Sequence, residues 1–142
     1  MRYNLYRRTY NICGTFKFNG VDIEMYGEGD IIIGTNSYIG NRSTIYSAKN
    51  NVVKIGNNVS ISHNVRIYTQ NRNPKFILGE FEAEKYISGD VEIGDNSWIG
   101  ANVYINQGVK IGKNVIIGAN AVVTKDFGDN VIIGGVPAKA IG

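Results

Sequence analysis

The capacity of this chain for acid–base chemistry rests on one imidazole. His63 stands in the stretch ISHNVRIYTQNRNPKF, residues 61–76, where a regular rhythm in the sequence gives way to an irregular run. Imidazole, with an ordinary pKa of about 6.5, suits proton transfer near neutral pH, so a histidine base in this chain is His63 or none. The alternative is a surface or interface histidine with no part in chemistry. Trp98, the single tryptophan, is by its type a packing residue or the wall of a pocket. Cys13 is the only cysteine, so no internal disulfide forms, and no Cys/His cluster has the spacing of a metal site. No metal is expected.

The elements that would position these residues must come from a chain of 142 residues, 43% apolar and 19% charged. That is enough for one globular domain with a real core. The net charge of +3 gathers near the start, with Arg2, Arg7, Arg8 and Lys17 preceding the first acid, Asp22. A solvated basic end explains this better than nucleic-acid binding, since no Lys/Arg run or aromatic RNA-binding motif accompanies it. No apolar run is long enough to span a membrane and no signal-peptide pattern is present. A cytoplasmic protein is expected.

The 18 glycines with only 2 prolines point to a repeat. Aliphatics recur every six residues through Ile33, Ile39 and Ile45, then Ile55, Ile61 and Ile67, then Ile93 to Val123. Four residues after them come Val59, Val65, Val103, Val109, Val115 and Ala121. Three residues after them come Asn36, Asn58, Asn64, Asn96, Asn102, Asn114 and Asn120, with Gly108 in the same slot. Asparagine and glycine enter left-handed backbone angles most readily, so the chain turns a corner every six residues. Three strands and three corners make a coil of about eighteen residues, and coils stack by parallel pairing roughly 4.8 Å apart. The period of 3.6 that an amphipathic helix needs is absent. The expectation is a parallel β-helix.

Breaks in the rhythm are short at 49–52 and 127–130 but long at about 69–90, a length that in a compact fold belongs to functional loops. Residues 1–30 carry little rhythm and are expected to form an irregular coil capping the solenoid, with Tyr3, Tyr6 and Tyr10 in its packing. Hexapeptide coils then fill 31–141 of a single domain, 1–142.

The stretches IGNNVSISHNVRI, VEIGDNSWIGANVYINQGVKIGKNVIIGANAVVTKD and GGVPAKAIG resemble the left-handed β-helix hexapeptide-repeat acyltransferases. The combination of WIGANV, IGANAVVTKD and GVPAK resembles the branch that acetylates sugars and xenobiotics from acetyl-CoA, the maltose and galactoside acetyltransferase type. The resemblance implies a catalytic histidine in the loop after the NVRI strand. Here that place reads Gln70-Asn71-Arg72-Asn73-Pro74, with Asn73 the nearest counterpart, or Arg72 if the alignment slips by one. Neither is a competent base, which leaves His63 as the candidate. The resemblance sets Trp98 against the catalytic site. It places Gly100, Ala101, Gly118 and Ala119, stacked 18 residues apart, along the coenzyme groove, and Thr124, Lys125 and Lys139 at the nucleotide and phosphates.

The function implied is acetyl transfer from acetyl-CoA to a hydroxyl or amine of a sugar or nucleotide sugar, in surface-polysaccharide or nucleotide-sugar metabolism. The enzyme implied is a homotrimer with sites between subunits. A degenerate β-helix that keeps coenzyme binding without catalysis is the alternative. Zinc carbonic anhydrases of similar repeat need three histidines, and ice-binding β-helices need threonine ladders that this chain lacks.

Overall fold

Residues 2–142 are described by a computed structural model, and they form the parallel β-helix. Helix α1 (Arg2–Thr9) leads into a first coil of β1 (Asn11–Ile12), β2 (Lys17–Asn19) and β3 (Glu24–Tyr26). The second coil is β4 (Asp30–Ile33), β5 (Tyr38–Gly40) and β6 (Thr44–Tyr46); the third is β7 (Val52–Ile55), β8 (Ser60–Ile61) and β9 (Arg66–Tyr68). An excursion follows: β10 (Gln70–Arg72), α2 (Pro74–Ile77) and β11 (Tyr86–Ser88). The fourth coil is β12 (Val91–Ile93), β13 (Trp98–Ile99) and β14 (Tyr104–Ile105); the fifth is β15 (Lys110–Ile111), β16 (Ile116–Ile117) and β17 (Val122–Val123). The chain finishes with β18 (Ile132–Gly134), parallel to β16, and β19 (Lys139–Ala140), antiparallel to β18.

The strands make three faces. Face A carries β1, β4, β7, β12 and β15; face B carries β2, β5, β8, β13, β16, β18 and β19; face C carries β3, β6, β9, β14 and β17. Ile33, Ile39, Ile45, Ile55, Ile61, Ile67, Ile93, Ile99 and Ile105 are all buried, stacked in the axial ladder that the six-residue rhythm predicts. The expected corner residues Asn36, Asn58, Asn64, Asn96, Asn102, Asn114 and Asn120 all have φ between 54° and 66°. Arg42, in the same slot, takes φ 58° without being Asn or Gly.

Some inward positions hold serine, and Ser37, Ser43 and Ser97 are each bonded to the next coil. Ser37 Oγ donates to Gly56 O (2.8 Å) and accepts from Val59 N (2.9 Å). Ser97 Oγ donates to Gly112 O and accepts from Val115 N. A buried hydroxyl without such partners would cost a few kcal/mol. Here it ties coils together.

The structure corrects the reading of residues 1–30 as an irregular coil. β1, β2 and β3 pair in full register, with Ile12 on Ile33, Phe18 on Ile39 and Met25 on Ile45. Aromatic and methionine side chains stand where later coils use isoleucine, which hides the rhythm. α1 does cover the end of the core: Tyr6 is buried, and Tyr3 stacks on Phe18 at 4.5 Å. Arg7 lies 5.2 Å over Phe18 and donates to Phe16 O. Among the described residues no helix is long and apolar enough to cross a membrane.

Candidate active site

The corners between faces B and C hold most of the residues singled out above. They stack as Gly40–Arg42, Ser62–Asn64, Gly100–Asn102 and Gly118–Asn120, one per coil from the second to the fifth. His63, Gly100, Ala101, Gly118 and Ala119 therefore share one edge. A Cβ on Gly100 would stand 2.7 Å from Ala119 N and 2.9 Å from Ile117 O, so the neighbouring coil lies against its backbone.

A rule of corner chemistry explains what this edge can do. At several corners a side-chain oxygen accepts the backbone N–H one coil below: Asn41 caps Val21 N, Asn57 caps Thr35 N, Asp95 caps Asn57 N and Asp129 caps Lys113 N, each at 2.8 Å. His63 belongs to the same series, since its Nδ1 accepts from Asn41 N at 3.1 Å. A backbone N–H only donates, so Nδ1 must be the unprotonated nitrogen and Nε2 bears the hydrogen. The exposed ring thus presents an N–H and has no free lone pair. In this geometry the ring offers a hydrogen-bond donor at Nε2.

Above His63 the series stops. Ala101 and Ala119 have no capping oxygen, so the amides of His63, Ala101 and Ala119 donate to no group among the described residues. Three backbone N–H groups on consecutive coils, roughly 4.8 Å apart, stand on one edge. This is a donor row suited to an amide-rich arm or a developing oxyanion. Sequence reading found the small residues; the structure adds that no side chain of the next coil caps these amides.

Comparison with known proteins decides the family. Residues 30–69 match the hexapeptide repeat of succinyl-transferase, and residues 90–125 match bacterial transferase hexapeptide (six repeats). A galactoside acetyltransferase in complex with coenzyme A superposes with a TM-score of 0.83 at 32% identity, over 99% of this chain and 68% of that one. A maltose O-acetyltransferase from Clostridium difficile 630 does so at 0.71 and 30%, over 99% and 73%. The chain belongs to the hexapeptide-repeat acetyltransferase family. The galactoside O-acetyltransferase of Escherichia coli (strain K12) is 41% identical over 116 residues, 82% of this chain. The chain spans about half the length, 46–57%, of the curated relatives it matches.

The other expected site residues of this hexapeptide-repeat chain fall elsewhere. Trp98, 51% exposed, stands on face B two residues before Gly100, beside Ile116 on the next strand. Lys139 lies at the end of the same face, on β19. Thr124 and Lys125 follow β17 at the corner between faces C and A, and Asn73 stands in the excursion that leaves that corner, so their elements differ from the B–C edge that carries His63. Asn73 Oδ1 accepts from Lys75 N at 3.0 Å as the N-cap of α2, which occupies it structurally. Lys125 Nζ sits 5.6 Å over the Phe127 ring.

The long break is no open loop. β10 and β11 form an antiparallel ribbon around α2, anchored by Gly89 N to Thr69 O at 2.8 Å. Leu78 and Phe81 are exposed by 82% and 93%. A groove of about 650 Å³ runs along face A, where Lys110 and Glu92 pair at 3.2 Å and Phe127, under Lys125, forms part of the lining. Three lysines and four carboxylates line it, and none of the candidate site residues is among its lining.

Proposed function

We propose that this chain is an acetyl-CoA-dependent acetyltransferase acting on a sugar or nucleotide sugar, in surface-polysaccharide or nucleotide-sugar metabolism. The open amides of His63, Ala101 and Ala119 carry this reading. They would hold the pantetheine carbonyls and the oxyanion formed as the nucleophile attacks the thioester carbon and coenzyme A departs as thiol. Gly100 and Gly118 keep the edge narrow enough for that approach. Lys125 and Lys139 meet the phosphates, Thr124 the nucleotide, and Trp98 walls the acetyl pocket.

With Nδ1 committed to Asn41, His63 serves through its Nε2–H as an oxyanion donor. An acceptor amine then fits better than a hydroxyl, because its neutral form attacks without a base. The C–A corner of one chain would have to meet the B–C edge of another to assemble all these residues, which supports a homotrimer with sites between subunits.

The test is thiol release from acetyl-CoA with sugars, amino sugars and nucleotide sugars, using wild type and His63→Asn. Asparagine at this corner keeps the bond to Asn41 N, as Asn41 itself does one coil below. Turnover of amino sugars should fall by about 10²–10³-fold with an unchanged melting temperature. Equal turnover of plain hydroxyl sugars, or no change in the variant, rejects the amine and donor assignments. The spent Asn73 favours a second reading, a coenzyme-binding β-helix without catalysis. Coenzyme A binding with no turnover on any acceptor would support it.

A further inference from the structure

We infer that the cleft walled by Tyr26, Tyr46 and Tyr68 on face C is an acceptor subsite for a pyranose bearing an anionic group, which Arg72 receives. The inference rests on the acetyl-transfer reading and adds the class of acceptor to it.

The cleft follows from register. β3 pairs with β6 and β6 with β9, which sets Tyr26 opposite Tyr46 and Tyr46 opposite Tyr68, all pointing outward. Their ring centroids are 4.7 and 6.2 Å apart, and Tyr68 lies 5.6 Å from Tyr104. This continuous aromatic wall runs over four coils of the solenoid. β10 crosses its edge and encloses about 320 Å³, with Gln70, Asn71 and Arg72 along the rim. That volume lies at the lower end of small-molecule sites, about 300–1,000 Å³.

The polar groups divide into spent and free. Tyr46 donates to Gln70 Oε1 (3.3 Å), and Gln70 Nε2 donates to Ser88 Oγ (3.0 Å). Tyr104 donates to Asn71 Oδ1 (3.1 Å), and Asn71 Nδ2 donates to Gln107 Oε1 (2.7 Å). Three of these bonds hold the excursion onto the solenoid, and the Gln70–Ser88 bond ties β10 to β11. The hydroxyls of Tyr26 and Tyr68 have no partner among the described residues. Burial first, and then the neighbouring Tyr68, Tyr46 and Glu24, push the Tyr26 hydroxyl above its usual range, so it stays a neutral donor. Arg72 is the only charged residue lining the cleft, and it makes no ion pair among the described residues. Lys85 Nζ, 5.4 Å over Tyr86, adds a second cation near the rim; Glu24 sits at the far end beside Tyr26.

Tyrosine faces suit the C–H face of a sugar ring, free hydroxyls suit its oxygens, and an unpaired guanidinium suits a carboxylate or phosphate. The anion has two possible sources, the carboxylate of a uronic acid or the phosphate of a sugar phosphate or nucleotide sugar.

The test titrates methyl glucoside, glucuronic acid, glucose 1-phosphate and inorganic phosphate into the full chain without coenzyme, following tyrosine ring signals by NMR. Arg72→Gln and Tyr26→Leu are run beside wild type; Tyr26 is at the surface end of the wall. The charged sugars should bind at least about tenfold more tightly than methyl glucoside, and which of the two binds better identifies the anion. Arg72→Gln should abolish that difference, and Tyr26→Leu should weaken every sugar. Equal binding of charged and neutral sugars, no sugar binding, or inorganic phosphate matching glucose 1-phosphate overturns the subsite. So does indifference to both substitutions. Thiol release from acetyl-CoA is measured separately. Cleft binding of charged sugars without release from any acceptor keeps the subsite and removes acetyl transfer; release with neutral sugars alone does the reverse.

Discussion

At the scale of single residues, the site is defined by what is missing. Asn41, Asn57, Asp95 and Asp129 each cap an amide one coil below, whereas Ala101 and Ala119 leave theirs uncapped. Restoring the cap separates stability from function. Ala119→Asn should set an amide oxygen on Ala101 N, raising stability by about 1 kcal/mol in urea denaturation. It should also weaken coenzyme A at least about tenfold, a loss of some 1.4 kcal/mol, measured by calorimetry. Unchanged coenzyme affinity would remove Ala101 N from the groove. His63 shows the limit of reading types alone. Its position at a corner and its exposure were legible from the neighbouring Asn64, but the partner that occupies Nδ1 sits 22 residues back, at Asn41.

At the scale of elements, each coil is a weak unit that depends on its neighbours. Buried Ser37, Ser43 and Ser97 add to the backbone ladders, since each satisfies a donor and an acceptor of the next coil. Ser97→Ala should leave Gly112 O and Val115 N without this bridge and cost about 1–3 kcal/mol, seen as a lower urea midpoint. An unchanged midpoint would show the bridge to be dispensable. The isoleucine coils were legible because their rhythm is local and strict. The first coil was not, because Phe16, Phe18 and Met25 carry the same inward-outward alternation in other side chains. The ribbon of β10 and β11 escaped notice as well: its pairing joins Gln70 to Ser88 and Arg72 to Tyr86 across an intervening turn of helix.

At the scale of the whole molecule, the candidate residues are split between face B with its B–C edge and the C–A corner, and the ribbon at 69–90, with Leu78 and Phe81 exposed, leaves from the latter. In the proposed trimer the ribbon of one chain packs on its neighbour. Light scattering coupled to size exclusion should then give three times the 15.6 kDa chain mass. Phe81→Asp should shift this toward one chain with an unchanged circular dichroism spectrum, because Phe81 touches little of its own chain. A wild-type mass of one chain would sink the shared site. The sequence by itself determined the β-helix, its buried ladder and its left-handed corners, because these depend on side-chain period and on the backbone preferences of asparagine and glycine. It also determined that Gly100, Ala101, Gly118 and Ala119 stack, since no insertion separates their coils. Only the tertiary structure decided which corner each remaining residue occupies. Tyr26, Tyr46 and Tyr68 are 20 and 22 residues apart, off the 18-residue period, and align only because the corners between them absorb the extra residues. It decided too which amides stay open, for a backbone N–H is capped or free according to the side chain one coil away.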